Sequence, residues 1–332
     1  MSIQLQLFFD SIKSSHTRRC YDFYLKKYGY ENLKLTSAKE IQDQLIQFIL
    51  KMKKEGKNYY AISNYITAII SYYRINDVIL NTKKITTFMP ERRRAKKDRA
   101  YTHEEISKLL EVADERMRAV ILLLASTGIR IGAIPSLKLR NLEDNNNKIV
   151  VYENDREEYF SFITPECKRA IDNYIDMRSR YGEKIGDDSY LIREQFDVRD
   201  QFQIKKPKQV TREGLQWMIK DIANRSGVRT QEEEKVNVQL AHGFRKFFTT
   251  QLINSKVNPE IREMLLGHKI GLASCYYRPS EEEMYEEYDK AIDNLTIDPA
   301  NRLRKKIETL QVEKSLIEDM NARLQELERK RD

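Results

Sequence analysis

A proline followed by a dense run of basic residues interrupts the sequence near the end of its first third. The stretch FMPERRRAKKDRAYTHEE contains Pro90 and then six cationic side chains. These are Arg92, Arg93, Arg94, Lys96, Lys97 and Arg99. Proline and a charge run of this kind break regular secondary structure and are typical of an interdomain linker. We therefore predict a linker over residues 89–101 that joins two domains, 1–88 and 102–295.

Residues 1–88 have the pattern of a small helical bundle. Apolar side chains recur every three or four residues in IQDQLIQFILKMKK and again in YYAISNYITAIISYYRI. They are Ile41, Leu45, Phe48, Ile49 and Met52 in the first segment, and Ile62, Ile66, Ile69 and Tyr73 in the second. A turn at residues 55–58 separates the two segments. Both segments predict amphipathic helices with a basic exposed face.

Residues 102–295 combine helices with a short stretch of β pattern. Thr102 and Glu105 have capping-box spacing at a helix start, and Gly128 follows an apolar helix as its C-cap. KIVVY (148–152) and EYFSFIT (158–164) are β-branched and aromatic, which predicts a β-hairpin. The fold class expected for the whole chain is mainly α with one small β-hairpin or sheet.

The tail, residues 296–332, has a weak coiled-coil pattern. Leu303, Leu310, Ile317 and Leu324 repeat every seven residues, and no glycine or proline occurs from residue 302 to 331. The helix could pair subunits or lie on its own domain, and the pattern slightly favours pairing.

Charge and composition restrict the partners. The chain of 332 residues has a net charge of +8, which favours polyanions, with nucleic acid first and an anionic membrane second. A soluble protein from a lysine-rich proteome would show the same surplus. The basic linker could neutralise several backbone phosphates, or it could be a solvated hinge.

Several classes of function lack their sequence signals. The start of the chain does not resemble a secretory signal, and no apolar run is long enough to span a bilayer. Three scattered cysteines and four histidines have no metal-binding spacing, and there is no glycine-rich phosphate loop. We therefore expect no metal, no cofactor, no membrane partner and a cytoplasmic location.

Three short segments could contribute to a phosphate site. His242 and Arg245 in AHGFRKFFTT are three residues apart, so a helix would place them on one face. Arginine grips phosphate oxygens, and histidine moves a proton near neutral pH. His268 follows Gly267, and Arg130 lies between apolar segments just after Gly128. Taken singly, each could instead be a structural or surface side chain.

The order and spacing of these segments resemble the tyrosine recombinases, the phage-type integrase family. ASTGIR, HGFR and LLGH follow one another, and Tyr277 comes nine residues after His268. The layout of helical domain, basic linker and mixed domain is similar too, over nearly the whole chain to about residue 296. YFSFITPEC and YYRPSEEEMYEEYDKAIDNL look most like archaeal and mobile-element members.

The resemblance implies a role for each residue. Arg130 and Arg245 would clamp the scissile phosphate, His268 would hydrogen-bond it, and His242 would assist proton transfer. Tyr277 would form a covalent 3′-phosphotyrosyl bond without metal or ATP, with Tyr276 as the neighbouring alternative.

Two positions depart from the family pattern. Arg156 stands in the hairpin turn where the family has a lysine that acts as general acid, and Lys148 on the first strand is the alternative. Guanidinium gives up a proton poorly. Ala133 replaces the acidic residue expected three positions after Arg130.

The function expected from the resemblance is site-specific DNA recombination, with an N-terminal core-binding domain and a catalytic domain. Partners would be double-stranded DNA at specific sites and three further copies of the chain on two duplexes, with weaker association away from DNA. The protein would be DNA-associated in the cytoplasm, that of the host if a virus or plasmid encodes it. The alternatives are a type IB topoisomerase, a non-catalytic DNA-binding or architectural protein on the same fold, and an RNA-binding protein.

Overall fold

Polar side chains set where the helices begin in the computed structural model of the chain. Side-chain oxygens at five N-cap positions accept hydrogen bonds from the backbone N–H groups of the first helical turn. The residues are Ser37, Asn58, Thr102, Asp114 and Thr164. Thr102 and Glu105 form the reciprocal capping box predicted from their spacing. Each cap satisfies a donor that has no partner within its own helix.

The chain divides by its internal contacts into two units, Met1–Ala95 and Lys96–Asp332. This division falls within the segment predicted as the linker. The structure describes residues 2–92, 98–229, 238–269, 271, 276–303 and scattered positions from 307 to 320.

Over residues 2–92, the first unit forms a bundle of five α-helices. They are α1 (Ile3–Asp10), α2 (Ser15–Tyr28), α3 (Ala38–Lys54), α4 (Tyr59–Ile75) and α5 (Thr82–Thr87). Helix α4 packs against α1, α2 and α3. The apolar faces predicted for α3 and α4 are buried, including Ile41, Leu45, Ile62 and Ile69. Burial of these faces holds the bundle together, because the hydrophobic effect is the dominant favourable term in folding.

The second unit is built around one central helix. The helices described between residues 98 and 295 are α6 (His103–Glu111), α7 (Glu115–Thr127), α8 (Pro165–Arg180), α9 (Gln201–Lys205), α10 (Arg212–Arg225), α11 (Leu240–Asn254), α12 (Pro259–Leu265) and α13 (Glu281–Leu295). Helix α7 contacts α6, α8, α11 and α13. Nearly all of its residues are buried, which explains why its sequence is apolar around most of its circumference.

A small antiparallel sheet lies in the second unit. Its strands, in spatial order, are β1 (Leu142–Glu143), β2 (Lys148–Val151) and β3 (Tyr159–Phe162). The predicted hairpin is β2–β3, with Val151 opposite Tyr159. Strand β1 has two residues, too few for an alternating pattern to reveal it. The expected fold class, mainly α with a small sheet, is confirmed.

The tail is described only in part. Leu303, Leu310 and Ile317 are exposed, and Leu324 lies outside the described residues. Pairing of the tail with another subunit stays a prediction. Within the described ranges, every helix is too short or too polar to cross a lipid bilayer.

A buried ion triad connects α8 to the segment that follows it. The side chains of Arg178, Glu183 and Arg193 are at most 2% exposed. Arg178 Nη2 lies 2.5 Å and Arg193 Nη1 2.6 Å from the two oxygens of Glu183. Burial by itself raises the pKa of Glu183, but hydrogen bonds from both arginines outweigh it, and the pKa is lower than usual.

Replacing Glu183 by alanine is expected to reduce the free energy of unfolding by about 3–5 kcal/mol, because two buried cations lose their counter-charge. Urea unfolding followed by circular dichroism measures the loss. Asp221→Ala, which breaks only an exposed pair with Arg225, is the control and should cost less than about 1 kcal/mol. Equal losses in the two variants would contradict the role of the triad.

The lowered pKa of Glu183 also predicts a pH dependence. Its stabilising contribution is complete above the unfolded-state pKa of about 4.3 and disappears as the pH falls through the lower folded-state pKa. The difference in unfolding free energy between wild type and Glu183→Ala should therefore shrink below about pH 4. A difference that stays constant down to pH 2 would show that this carboxylate does not carry the effect.

Candidate active site

Arg130 lies just beyond a glycine that ends α7. Gly128 has φ +60°, and its N–H donates to the carbonyl oxygen of Leu124 over 3.0 Å. A Cβ atom at this position would lie 2.6 Å from the Phe248 ring, so both the backbone angle and the close approach of α11 require glycine. Ile129 is buried in the core and the next residue, Arg130, is exposed. Core packing thus fixes the backbone that presents this arginine.

Arg245, on α11, is a buried cation, only 7% exposed. Its Nη1 donates to the carbonyl oxygen of Gly128 over 2.7 Å, and its Nη2 donates to that of Leu266 over 2.6 Å. These two carbonyls lie at the C-terminal ends of α7 and α12, where helices leave acceptors unsatisfied and carry partial negative charge. Burial, and then repulsion from Arg130, lowers the pKa of Arg245. The guanidinium therefore compensates for its burial by joining two helix ends.

The end of α12 positions His268. Gly267 has φ +65°, its N–H donates to Met264 O over 2.8 Å, and the His268 N–H donates to Glu263 O over 2.9 Å. This pair of bonds is a Schellman motif, which turns the chain back over the last helical turn. A Cβ atom on Gly267 would lie 2.5 Å from the Tyr159 ring. The motif consequently brings His268 beside Glu263.

Both ring nitrogens of His268 have partners. Nε2 is 2.7 Å from Arg245 Nη2, and Nδ1 is 2.7 Å from Glu263 Oε2. The histidine and arginine of two distant sequence segments are thus in direct contact.

These residues border an open cleft of about 610 Å³. Its lining includes three cations, two carboxylates, a tyrosine and a histidine, which are Arg130, Arg156, Lys269, Glu157, Glu158, Tyr159 and His268. Arg245 lies behind this lining, bonded to His268, and its charge acts on Arg130. The structure therefore brings Arg130, Arg156, Arg245 and His268 together, although more than 130 residues separate the first from the last.

The hairpin turn presents Arg156 to the cleft. Tyr152 and Asn154 adopt left-handed backbone angles, with φ of +58° and +61°. For Tyr152 such an angle costs about 1–3 kcal/mol, whereas asparagine adopts it more readily. Of the two residues proposed to replace the missing lysine, Arg156 is thus the one that faces the cleft.

Lys148, the other alternative, is engaged elsewhere. Its Nζ lies 2.8 Å from both Glu143 and Glu281, and its side chain is only 14% exposed. Burial lowers the pKa of Lys148, but the bonds to the two carboxylates outweigh it and raise the pKa. Lys148 is not among the residues that line the cleft.

His242 is exposed near the start of α11. Partial burial, followed by the charges of Lys246 and Arg245, lowers its pKa below the usual value of 6.5. His242 is therefore neutral near pH 7, the state in which imidazole can accept a proton. It does not line the cleft as Arg130 and His268 do.

Tyr277 is held outside the cleft. Its hydroxyl donates to Glu283 Oε1 on α13 over 2.7 Å. Partial burial, this hydrogen bond and the charges of Glu287 and Glu260 raise the pKa of Tyr277 to about 12. The neighbouring Tyr276 is 90% exposed. The structure thus does not bring either tyrosine to the four cleft residues.

The two other tyrosines of this region, Tyr285 and Tyr288, contribute to packing in the second unit. Tyr288 is completely buried, and its hydroxyl donates to Ser126 O over 2.9 Å. The ring of Tyr285 packs against Phe162, with 5.2 Å between ring centroids.

The predicted DNA-binding cations are only partly described. Arg93, Arg94, Lys96 and Lys97 lie outside the described residues. The Nε atom of Arg92 donates to the Tyr60 hydroxyl over 3.3 Å. Arg99 makes a two-pronged ion pair with Glu105, with N–O distances of 2.7 and 2.5 Å. Contact of these cations with DNA stays a prediction.

Sequence reasoning did not identify Glu263, Tyr159 or Lys269. Glu263 was recognisable in principle, because a helix that ends in a Schellman glycine places the residue after the glycine over the last turn. Tyr159 resembles any strand aromatic in sequence, yet its hydroxyl is buried beside Arg245 without a well-aligned hydrogen bond. Lys269 directly follows the histidine and has no pattern of its own.

No group of side chains suited to holding a metal ion occurs among the described residues.

The fold and this cationic cleft define a class of protein. The family model of the phage integrase family matches residues 99–283. The chain therefore belongs to this family of tyrosine-type site-specific recombinases. The sequence was expected to look like archaeal members of the family. One such relative is the tyrosine recombinase XerA of Pyrococcus furiosus. It is 23% identical over 295 residues, covering 85% of this chain and 91% of XerA.

Solved structures share the fold at low identity. The Tn1549 transposon integrase in complex with circular intermediate DNA has a TM-score of 0.58 and 18% identity, covering 86% of this chain and 98% of that one. A lambda integrase tetramer bound to a Holliday junction has a TM-score of 0.56 and 16% identity, with 84% and 78% covered.

Replacing Glu283 by glutamine is expected to lower the pKa of Tyr277 from about 12 towards the ordinary value near 10, because the charged acceptor is lost. Carbon-13 NMR of labelled tyrosine rings measures this pKa, with Tyr277→Phe identifying the resonance. Glu286→Gln, an exposed carboxylate of the same helix, is the control and should leave the pKa unchanged. An unchanged pKa in Glu283→Gln would contradict the described contact.

Proposed function

We propose that the protein cuts and rejoins duplex DNA at specific sites through a covalent 3′-phosphotyrosyl bond on Tyr277. The observation that carries the proposal is the convergence of Arg130, Arg245 and His268 at one cleft. Two guanidinium groups suit the two non-bridging oxygens of a phosphodiester, because their N–H donors match phosphate geometry. Membership of the recombinase family supports the same chemistry.

The cleft is suited to stabilising a transition state. In-line attack on a phosphodiester places extra negative charge on the non-bridging oxygens. Fixed donors aimed at developing charge are commonly the largest single contribution to catalysis. Arg245 is held by carbonyls of two helix ends, so it would be in position before DNA arrives.

The reaction conserves the phosphodiester energy. The Tyr277 oxygen attacks phosphorus, a P–O bond to tyrosine forms and the P–O5′ bond breaks. The phenol proton passes to a base, for which the low pKa of His242 makes it suitable, and the departing O5′ takes up a proton. Attack of a 5′-hydroxyl on the phosphotyrosine reverses every step, so rejoining requires no ATP.

Cleavage also requires Tyr277 to move. A phenol bonded to Glu283 with a pKa of about 12 is a poor nucleophile near neutral pH. Release from Glu283 and arrival beside the cationic cleft would lower that pKa, since nearby positive charge favours the phenolate. We infer that the described arrangement is a resting state and that DNA binding exchanges one set of contacts for the other.

Arg156 is proposed to stabilise the leaving O5′. It faces the cleft from the hairpin turn at the position where the family has its lysine. A guanidinium can hydrogen-bond a developing alkoxide, although it gives up a proton poorly. Arg156 would thus act through charge and hydrogen bonding.

The partners proposed are double-stranded DNA and further copies of the chain. The basic segment 92–99 and the helices of the first unit would contact backbone phosphates, which position a protein on DNA. Four subunits would act on two duplexes, as supported by the fold shared with an integrase tetramer on a Holliday junction. Such a protein would work on DNA in the cytoplasm.

Covalent trapping tests the proposed function. Nicked suicide duplexes that carry candidate sites are incubated with the protein, and the denatured adduct is mapped by mass spectrometry. We expect an adduct on Tyr277 in wild type, none in Tyr277→Phe, and unchanged DNA binding by Tyr277→Phe. An adduct on Tyr276 would move the nucleophile by one residue. No adduct on a site that the protein binds would favour the non-catalytic interpretation.

A sulfur-substituted substrate tests the role of Arg156. Arg156→Ala should slow adduct formation about 100-fold or more, the usual effect of removing a donor from a developing oxyanion. A 5′-bridging thiolate leaves without such help, so the same variant should cleave that substrate at nearly the wild-type rate. Arg130→Ala, which affects the non-bridging oxygens, is the control and should remain slow on both substrates. An equal defect of Arg156→Ala on both would exclude leaving-group stabilisation.

A further inference from the structure

The protonation pattern of the His268 ring follows from its two neighbours. Arginine carries N–H donors and no acceptor, so Nε2 of His268 must accept the hydrogen bond from Arg245 Nη2. A neutral imidazole has its proton on the other nitrogen, and Nδ1 therefore donates to Glu263 Oε2. The contacts thus select one tautomer of the ring.

The same pattern sets what His268 can do. In this tautomer Nε2 has a lone pair and no proton, so it orients Arg245 and cannot donate a hydrogen bond to phosphate. Arg245 Nη2 donates hydrogen bonds to two acceptors, His268 Nε2 and Leu266 O, each within 2.7 Å, and these bonds fix its orientation. Its Nη1 is directed by Gly128 O. Three of the five N–H groups of Arg245 therefore have acceptors in the protein, and the Tyr159 hydroxyl lies beside the same guanidinium.

Glu263 is the fixed end of this chain of contacts. Its backbone carbonyl accepts from the His268 N–H in the Schellman motif, and its carboxylate accepts from the ring of the same residue. The hydrogen bond from His268, despite partial burial, and a further bond from Arg262 at 3.3 Å lower the pKa of Glu263. The acceptor is thus ionised at neutral pH and is held by two bonds to one residue.

We propose that Glu263 is a positioning residue for DNA cleavage, which acts on Arg245 through His268. Its carboxylate fixes the Nδ1–H tautomer, the tautomer presents a lone pair at Nε2, and that lone pair aims the Arg245 guanidinium. Glu263 would thus provide a carboxylate that supports the site. Ala133 occupies the position where the family usually has an acidic residue. The proposal rests on the proposed function and assigns a role to a residue that touches no substrate.

Single-turnover cleavage of suicide duplexes tests the inference. Glu263→Leu is expected to slow adduct formation by about 10- to 100-fold, the range found when the carboxylate partner of a metal-binding histidine is removed. Binding of the duplex should change by less than about twofold, because Glu263 meets no DNA in this proposal. Arg262→Ala, which removes the other partner of the same carboxylate, is the matched control and should cleave at nearly the wild-type rate.

A double-mutant cycle shows whether Glu263 acts through His268. Glu263→Leu in the His268→Ala background should cause no further loss, since the intermediary is already gone. Glu263→Gln, whose amide oxygen can still accept from Nδ1, should recover most of the rate. Fully additive losses, full activity of Glu263→Leu, or a Glu263→Gln variant as slow as Glu263→Leu would overturn the proposal.

Nitrogen-15 NMR of the histidine rings gives a readout without DNA. In wild type, His268 should show a protonated Nδ1 and an unprotonated Nε2 at neutral pH, and Glu263→Leu should shift the ring towards a mixture of tautomers. An unchanged tautomer in Glu263→Leu would contradict the inference. If wild type shows the tautomer but forms no adduct on any bound site, the proposed function fails while the positioning contact stands.

Discussion

The buried guanidinium of Arg245 is the interaction on which the site depends. It donates hydrogen bonds to the carbonyl oxygen of Gly128 at the end of α7, to that of Leu266 at the end of α12, and to the ring of His268. These groups come from two sequence segments, one at Gly128 and one at residues 266–268, and Arg245 joins them from a third. A buried cation is unfavourable unless it is well bonded, so the two helix ends must keep their places for the arginine to be accommodated. The contacts that stabilise the buried Arg245 are therefore the same contacts that hold its guanidinium in position at the site.

The opposing charges of the second unit suggest how activity is restrained. Cations gather at the cleft, whereas the start of α13 is acidic and holds Tyr277 through Glu283. In the described arrangement Tyr277, the proposed nucleophile, is kept protonated by carboxylates, apart from the arginines that would activate it. A DNA phosphate at the cleft would neutralise part of the cationic repulsion and supply the reason for the tyrosine to move. Cutting would then be coupled to the presence of substrate.

Sequence patterns predicted much of the fold, because helix periodicity, N-caps and C-terminal glycines act over a few residues. Helices α3, α4, α6 and α7 and the hairpin were found in this way. Strand β1 has only two residues, and its pairing depends on distant neighbours. For the site, the order of Arg130, His242, Arg245 and His268 was sufficient to propose a common location. The contact of Glu283 with Tyr277 could not be predicted, since acidic residues are frequent and only three-dimensional contacts distinguish them. Glu263 was overlooked, although the glycine that ends α12 places His268 over its helical turn.

The central claim, that Arg245 is locked in place before DNA binds, can be measured directly. Nitrogen-15 NMR of selectively labelled arginine in the DNA-free protein reports rotation of each guanidinium, and Arg245→Lys identifies the resonances by their absence. We expect slow rotation of the Arg245 guanidinium, with separate signals for the two Nη groups, because both donate to fixed acceptors. A single averaged Nη signal, as for an arginine in solvent, would show that the guanidinium is free and would contradict the account.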